Sequence, residues 1–236
     1  MKPSVLFATP TFDFSFCAEY QTSMMSTAIE LTHQKIPMRA RFVAGMCFID
    51  LARNLLVEHF LHETECTDLF FVDSDVGWDY KVVQRFLEYP QEVVGGLVPK
   101  RWDKEPFHDR ALNGRVENGL VGTLEVPTAF LRIKRSAFEK LDAAYPEYAE
   151  YETMGNGKPY FQTGFVNKHF CGEDIFFCRQ WCAMGGSIWI DPNVRFTHRG
   201  QRFWEGNFLE HGMKEGFLQA TQVPAEPESI PLSIAS

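Results

Sequence analysis

Leu69-Phe70-Phe71-Val72-Asp73-Ser74-Asp75 runs a short apolar stretch directly into two carboxylates, and its reading decides the fold. Four apolar residues in a row suit a strand buried in a sheet. Side chains alternate along a strand, so Asp73 and Asp75 are predicted to point the same way from its end. Two like charges held that close repel unless a cation sits between them or one takes up a proton. A hard divalent ion, Mg²⁺ or Mn²⁺, suits such a pair, because these ions choose oxygen ligands and commonly bind one or two carboxylates together with substrate phosphates. Taken alone, the tripeptide reads equally well as a strand-end turn whose aspartate caps the next helix.

The flanking sequence repeats the pattern of strand then helix. Val5-Leu6-Phe7-Ala8 reads as a buried strand stopped by Thr9-Pro10, and Tyr20, Met24, Ala28 and Leu31 recur at helical spacing after it. Arg41-Phe42-Val43-Ala44 is a short strand, followed by a helix with an apolar stripe of Phe48, Leu51, Leu55 and Phe60 that also carries Arg53 and Asn54. Beyond the acidic tripeptide, Val83, Phe86 and Leu87 mark a helix ended by Pro90, and residues 93–98 form another buried strand. This alternation predicts an α/β fold: a mostly parallel, Rossmann-like central sheet flanked by helices, with its crevice at the carboxyl ends of the strands. Thr9 and Asp73 both fall at such ends.

The second half changes character. Residues 124–133 are strand-like, Ser136 and Glu139 stand at capping-box spacing, and Gly155-Asn156-Gly157 reads as a hairpin turn in a small antiparallel element. Glu173-Asp174 opens a helix that stops near Gly185-Gly186, and strands follow at residues 188–190 and 195–198. From about residue 221 the Pro, Glu and Ser content predicts a loose tail.

With 236 residues, 45% of them hydrophobic, the chain can bury the core of one sizeable domain. Its formal charge of -8 argues against extensive nucleic-acid binding. Six cysteines without a CxxC pair, and an opening stretch unlike a secretory signal, point to reduced thiols and a cytoplasmic location. His169, Cys171, Cys178 and Cys182 invite a zinc reading, but buried thiols explain them more simply. Nothing approaches the length of a transmembrane segment.

Taken in order, the strand ending in Thr9-Pro10, the Asp73-Ser74-Asp75 motif, Val93-Val94-Gly95-Gly96, residues 128–135, the Glu173-Asp174 pair and His198 resemble GT-A fold glycosyltransferases. The likeness is to compact family 2-like enzymes of bacteria and their viruses. It spans roughly residues 1–205 as a single catalytic domain and leaves 206–236 as a C-terminal extension. The resemblance implies transfer of a sugar from a nucleoside-diphosphate sugar donor, a UDP- or GDP-sugar, to a glycan or other hydroxyl acceptor. Asp75, Asp73 and His198 would hold Mn²⁺ or Mg²⁺. Asp174, with Glu173 in reserve, would be the general base of an inverting reaction. Thr9, Pro10 and Phe12 would border the nucleobase, and Ser74, Arg53, Asn54, Lys100 and Arg202 would complete the nucleotide-sugar site, with Arg101 and Arg199 as further cations. Residues 126–129 stand where many relatives carry a Gly-rich segment, and Trp204 is the favoured sugar-stacking side chain near the site. Two other readings fit less well. A nucleotidyltransferase should carry a basic Gly-rich loop after its first strand, and a non-catalytic nucleotide-sugar binding module would have no need of intact acids.

Overall fold

The computed structural model describes residues 2–101, 107, 111–150, 158–166, 168–200, 203–216 and 218. In chain order the first elements are β1 (Val5–Thr11), α1 (Ala18–His33), β2 (Met38–Ala44), α2 (Ile49–Glu63), β3 (Asp68–Val72), β4 (Val76–Trp78), α3 (Tyr80–Glu88) and β5 (Val93–Gly95). There follow β6 (Leu112–Glu117), β7 (Leu120–Thr123), β8 (Phe130–Lys134), α4 (Arg135–Ala144) and a 3₁₀ turn at Pro146–Glu150. The remainder comprises β9 (Gly164–Val166), β10 (His169–Cys171), α5 (Glu173–Ala183), β11 (Ile188–Ile190), β12 (Arg195–Arg199), β13 (Phe203–Asn207) and α6 (Phe208–Glu215).

Eight strands form one sheet in the order β2-β1-β3-β8-β5-β11-β7-β6. Pairings β1–β2, β1–β3 and β5–β11 are parallel. Pairings β3–β8, β5–β8, β7–β11 and β6–β7 are antiparallel. The sheet is therefore mixed, which corrects the expectation of a mostly parallel, Rossmann-like one. The physical reason lies between β5 and β8, where no helix is found among the described residues: a parallel connection needs a crossover, and β6, β7 and β8 instead follow one another with no helix between them. A three-stranded sheet β13-β12-β4 and the β9–β10 pair complete the strands.

Helices cover both faces, and period-two alternation sorts the strand residues between two cores. Leu6, Ala8, Leu69 and Phe71 join Leu56, Phe60, Phe138 and Phe177 from α2, α4 and α5. Val5, Phe7, Phe70 and Val72 join Tyr20, Leu31, Trp78 and Phe86 on the other face. Gly96 shows how tightly the second core closes, since a Cβ there would lie 2.4 Å from the Phe196 ring.

Local packing revises several sequence expectations. β1 continues through Pro10 to Thr11, paired along its whole length with β2. The buried face of α1 is Tyr20, Ser23, Thr27 and Leu31 rather than Met24 and Ala28. Ser23 and Thr27 go inside because their hydroxyls accept the backbone N–H (2.8 Å) and indole N–H (3.0 Å) of Trp78. In α2 the predicted stripe is turned: Phe48 is exposed, while Arg53 and Asn54 are buried beside Leu56, Val57 and Phe60. The strand predicted at 93–98 ends at Gly95, and the run predicted at 124–133 is strand only from Phe130, as β8, residues 124–129 being the connection from β7. The capping box does not form, because Ser136 donates to Glu92 from inside α4. Gly155-Asn156-Gly157 and the tail from 221 lie outside the described residues. Among the described residues, no helix is long and apolar enough to cross a membrane.

Phe130 is fully buried at the centre of the second core, with ring centroids of Phe196, Trp78, Phe86 and Phe70 at 4.8, 5.6, 5.6 and 6.1 Å. Phe130→Ala should destabilise the fold by about 3–5 kcal/mol, the usual cost of a buried phenyl plus its cavity. Equilibrium urea unfolding checks this, read as a fall in midpoint at constant slope.

Candidate functional site

The carboxyl ends of β1 and β3 open onto a cleft of about 350 Å³. Its lining brings together Pro10 and Phe12 from the end of β1, Arg53 from α2, the Asp73-Ser74-Asp75 turn, residues 127–129, and Glu173 with Asp174 from the start of α5. The topology thus unites residues from widely separated parts of the sequence at one rim of the sheet.

Asp73-Ser74-Asp75 is a turn between β3 and β4, not the last residues of a strand, so alternation along a strand does not orient its carboxylates. The backbone holds it instead. Asp73 N–H donates to Ala129 O (3.1 Å), Val76 N–H to Asp73 O (3.2 Å), Cys17 N–H to Ser74 O (3.0 Å) and Arg199 N–H to Asp75 O (2.8 Å). Three other segments and the turn's own closing bond therefore fix three residues.

Arg53 is 3% exposed and reaches two acids, with Nη2 3.0 Å from Asp73 Oδ1 and Nε 3.0 Å from Glu173 Oε1. Its guanidinium also lies over the Phe71 ring, 5.2 Å from the centroid. Burial alone would lower its pKa, but Asp73 and Glu173 outweigh that and hold it above the ordinary value. Asp174, next along α5, forms no ion pair among the described residues and feels Arg53 only as a lesser influence that lowers its pKa. Its Oδ1 accepts the Ile175 N–H at 2.7 Å, yet burial, reinforced by the Glu173 charge, pushes its pKa up to about 6. A carboxyl in that range can exchange a proton near neutral pH.

Across the cleft mouth, His198 sits on β12 opposite Val76 of β4. Its Nδ1 lies 2.7 Å from Pro99 O; a carbonyl only accepts, so Nδ1 carries the hydrogen and Nε2 keeps its lone pair. Burial lowers the imidazole pKa, and Arg101 pushes the same way against the Pro99 hydrogen bond. The Nε2 atom faces Asp75, 3.6 Å from Oδ1. Arg101 joins the two: its Nε donates to His198 Nε2 at 3.2 Å, and its Nη2 pairs with Asp75 Oδ2.

That arrangement tests the residues against Mn²⁺ or Mg²⁺. A carboxylate and an imidazole lone pair already meet one positive group, and they are donors these ions accept. Asp73 is turned to Arg53, and among the described residues no three His, Cys, Asp or Glu side chains are grouped to hold an ion unaided. Asp75 and His198 therefore fit an ion that draws its remaining oxygens from a ligand's phosphates.

The other sequence candidates are placed differently. Thr9 is buried below the cleft and hydrogen-bonds Tyr20 at 2.7 Å. Asn54 faces away, its amide donating to Phe161 O (2.7 Å) and accepting Phe161 N–H (2.9 Å), so both halves of the side chain are used inside the core. Lys100 precedes Arg101 but is not part of the cleft lining. Arg202, Trp102 and the Trp204 side chain lie outside the described residues. All six cysteines are free thiols, and Cys178 is packed against the backbone of Val126. Sequence reading passed over Thr11 and Ile49, which also line the cleft. No local signal marks them, because an ordinary strand end and a helix start become cleft walls only through the fold.

Neither the protein-family models nor the curated proteins give a match to the sequence. Among solved structures, A197 from STIV superposes with a TM-score of 0.51 over 84% of this chain and 86% of that one, at 16% identity. A glycosyltransferase involved in glycosylation of the major capsid of PBCV-1 gives 0.35 over 65% of this chain and 72% of its own, at 11% identity. The catalytic domain of Drosophila beta1,4galactosyltransferase 7 gives 0.48 over 84% and 72%, at 14% identity. The first likeness shows a shared fold, and fold alone does not carry function. The other two are remote and transfer no chemistry to this chain.

Asp174 should titrate near pH 6 by carboxyl ¹³C NMR. Glu173→Gln removes the neighbouring negative charge and should bring that midpoint down; an unmoved midpoint would leave burial as its sole cause.

Proposed function

We propose that this chain is a glycosyltransferase that moves a sugar from a nucleoside-diphosphate sugar to an acceptor hydroxyl with inversion, using Asp174 as general base. The observation that carries this reading is the division of labour within one cleft. Asp174 is held with an elevated pKa at one side, and Asp75 and His198 converge on a positive group at the other. General-base transfer to a diphosphate-activated carbon needs such a separation, with proton removal at the nucleophile and positive charge at the leaving group.

In the proposed reaction the acceptor oxygen bonds to the anomeric carbon as the bond from that carbon to the diphosphate oxygen breaks. The electron pair departs with the diphosphate, and the acceptor proton passes to Asp174. Oδ2 is the natural recipient, since Oδ1 is occupied by the Ile175 N–H. Arg53 holds Glu173 beside Asp174 and Asp73 beside the donor. Pro10 and Phe12 border the nucleobase at the end of β1. A divalent ion held by Asp75 and His198 would supply fixed positive charge where the diphosphate departs. The nucleotidyltransferase reading is disfavoured because residues 9–16, Thr-Pro-Thr-Phe-Asp-Phe-Ser-Phe, contain neither a basic residue nor a glycine to cradle phosphates.

The test is a panel of UDP- and GDP-sugars assayed for Mn²⁺-dependent release of nucleoside diphosphate, with and without hydroxyl acceptors. Asp174→Asn should slow transfer by about 10²- to 10⁴-fold while leaving donor affinity nearly unchanged. Equal loss of donor affinity would assign Asp174 to binding instead. Asp174 must be ionised to accept the proton, so kcat/KM should fall by about tenfold per pH unit below pH 6 and level off above it.

A further inference from the structure

Arg101 is the unexpected occupant of this site. Its guanidinium stands where Asp75 and His198 converge, touching both through separate nitrogens. Arg53 forms a similar double contact but is 3% exposed and locked between two acids. Arg101 by contrast is 46% exposed, and a half-exposed ion pair is held only weakly because water screens it. One arginine is thus built into the core and the other rests on the surface, against an acid of the same cleft.

Charge balance gives the second one a purpose. Asp73, Asp75, Glu173 and Asp174 share the cleft lining; among the described residues Arg53 pairs with Asp73 and Glu173, and Arg101 with Asp75. Without Arg101, Asp75 would face the remaining acids without its counter-charge. With Arg101 in place, the Asp75 carboxylate and the one imidazole lone pair aimed at it are both engaged.

We infer that Arg101 is a resident counter-cation of the Asp75–His198 pair that a divalent metal ion must displace to bind. The inference rests on the proposed reading only in taking Asp75 and His198 as the metal-holding residues. A side chain that competes with the ion raises the free-ion concentration needed to fill the site, so removing it should tighten binding. A residue that instead recruits the ion's phosphate ligands would have no such effect on the bare ion.

Titration with Mn²⁺ alone, without nucleotide, followed by the electron paramagnetic resonance of the free ion, separates these cases. Arg101→Ala should bind Mn²⁺ about two- to fivefold more tightly than the unaltered chain. Arg39→Ala, on the exposed edge strand β2, removes the same charge elsewhere and should change nothing. The double variant R101A/D75A should lose the gain. Unchanged or weaker Mn²⁺ binding in Arg101→Ala overturns the inference, as does a gain that persists in R101A/D75A or appears equally in Arg39→Ala. Absence of Mn²⁺ binding in both the unaltered chain and Arg101→Ala overturns the inference and removes the metal from the proposed function too. Failure of every donor sugar in the transfer assay, with the Mn²⁺ gain intact, would overturn the proposed function and leave Arg101's role standing.

Discussion

Asp73, Asp75, Glu173 and Asp174 line one rim of the sheet, and like charges so close must gain counter-charge or give up charge. The cleft answers in different ways within a few residues. Asp73 and Glu173 share the buried Arg53, Asp75 meets the half-exposed Arg101, and Asp174 is left with its pKa raised to about 6. Each answer suits a different task. A fully paired acid is a fixed structural charge, a loosely paired one is open to exchange of its partner, and an unpaired one is available to move protons.

The backbone makes that differentiation possible. Because the Asp73-Ser74-Asp75 turn is bonded to the segment before β8, the start of α1 and the end of β12, its backbone is held from three directions, and Arg53 and Arg101 then meet the carboxylates it presents. The antiparallel entry of β8 brings Ala129 beside Asp73, and the small sheet β13-β12-β4 brings His198 beside the same turn. The departures from a parallel sheet are thus what assemble the site.

Much of this was legible from sequence where the signal is local. The acidic tripeptide, the apolar strand before it, the start of α5 at Glu173 and the strand bearing His198 all follow from short patterns, whereas β4, directly after the tripeptide, was not anticipated. What escaped depends on partners far along the chain. Asn54 looks like a nucleotide ligand until its amide meets the Phe161 backbone, 107 residues away. Arg132 is as buried as Arg53 but donates to the carbonyls of Phe86, Tyr89 and Gln91, and so closes the end of α3 instead of serving a site. Residue type cannot distinguish these arginines, because the same planar donor set satisfies carboxylates and carbonyls alike. The helical stripe of α2 was misjudged for a related reason: polar side chains with buried partners displaced Phe48 to the surface.

A single flat, rigid side chain spans from the β3–β4 turn to the first residue of α5. The separation between the acid at the β3–β4 turn and the acid that opens α5 is therefore set by the breadth of a guanidinium, not by the length of any surrounding loop. Loops at the rim can grow, shrink or change composition while that spacing stays constant.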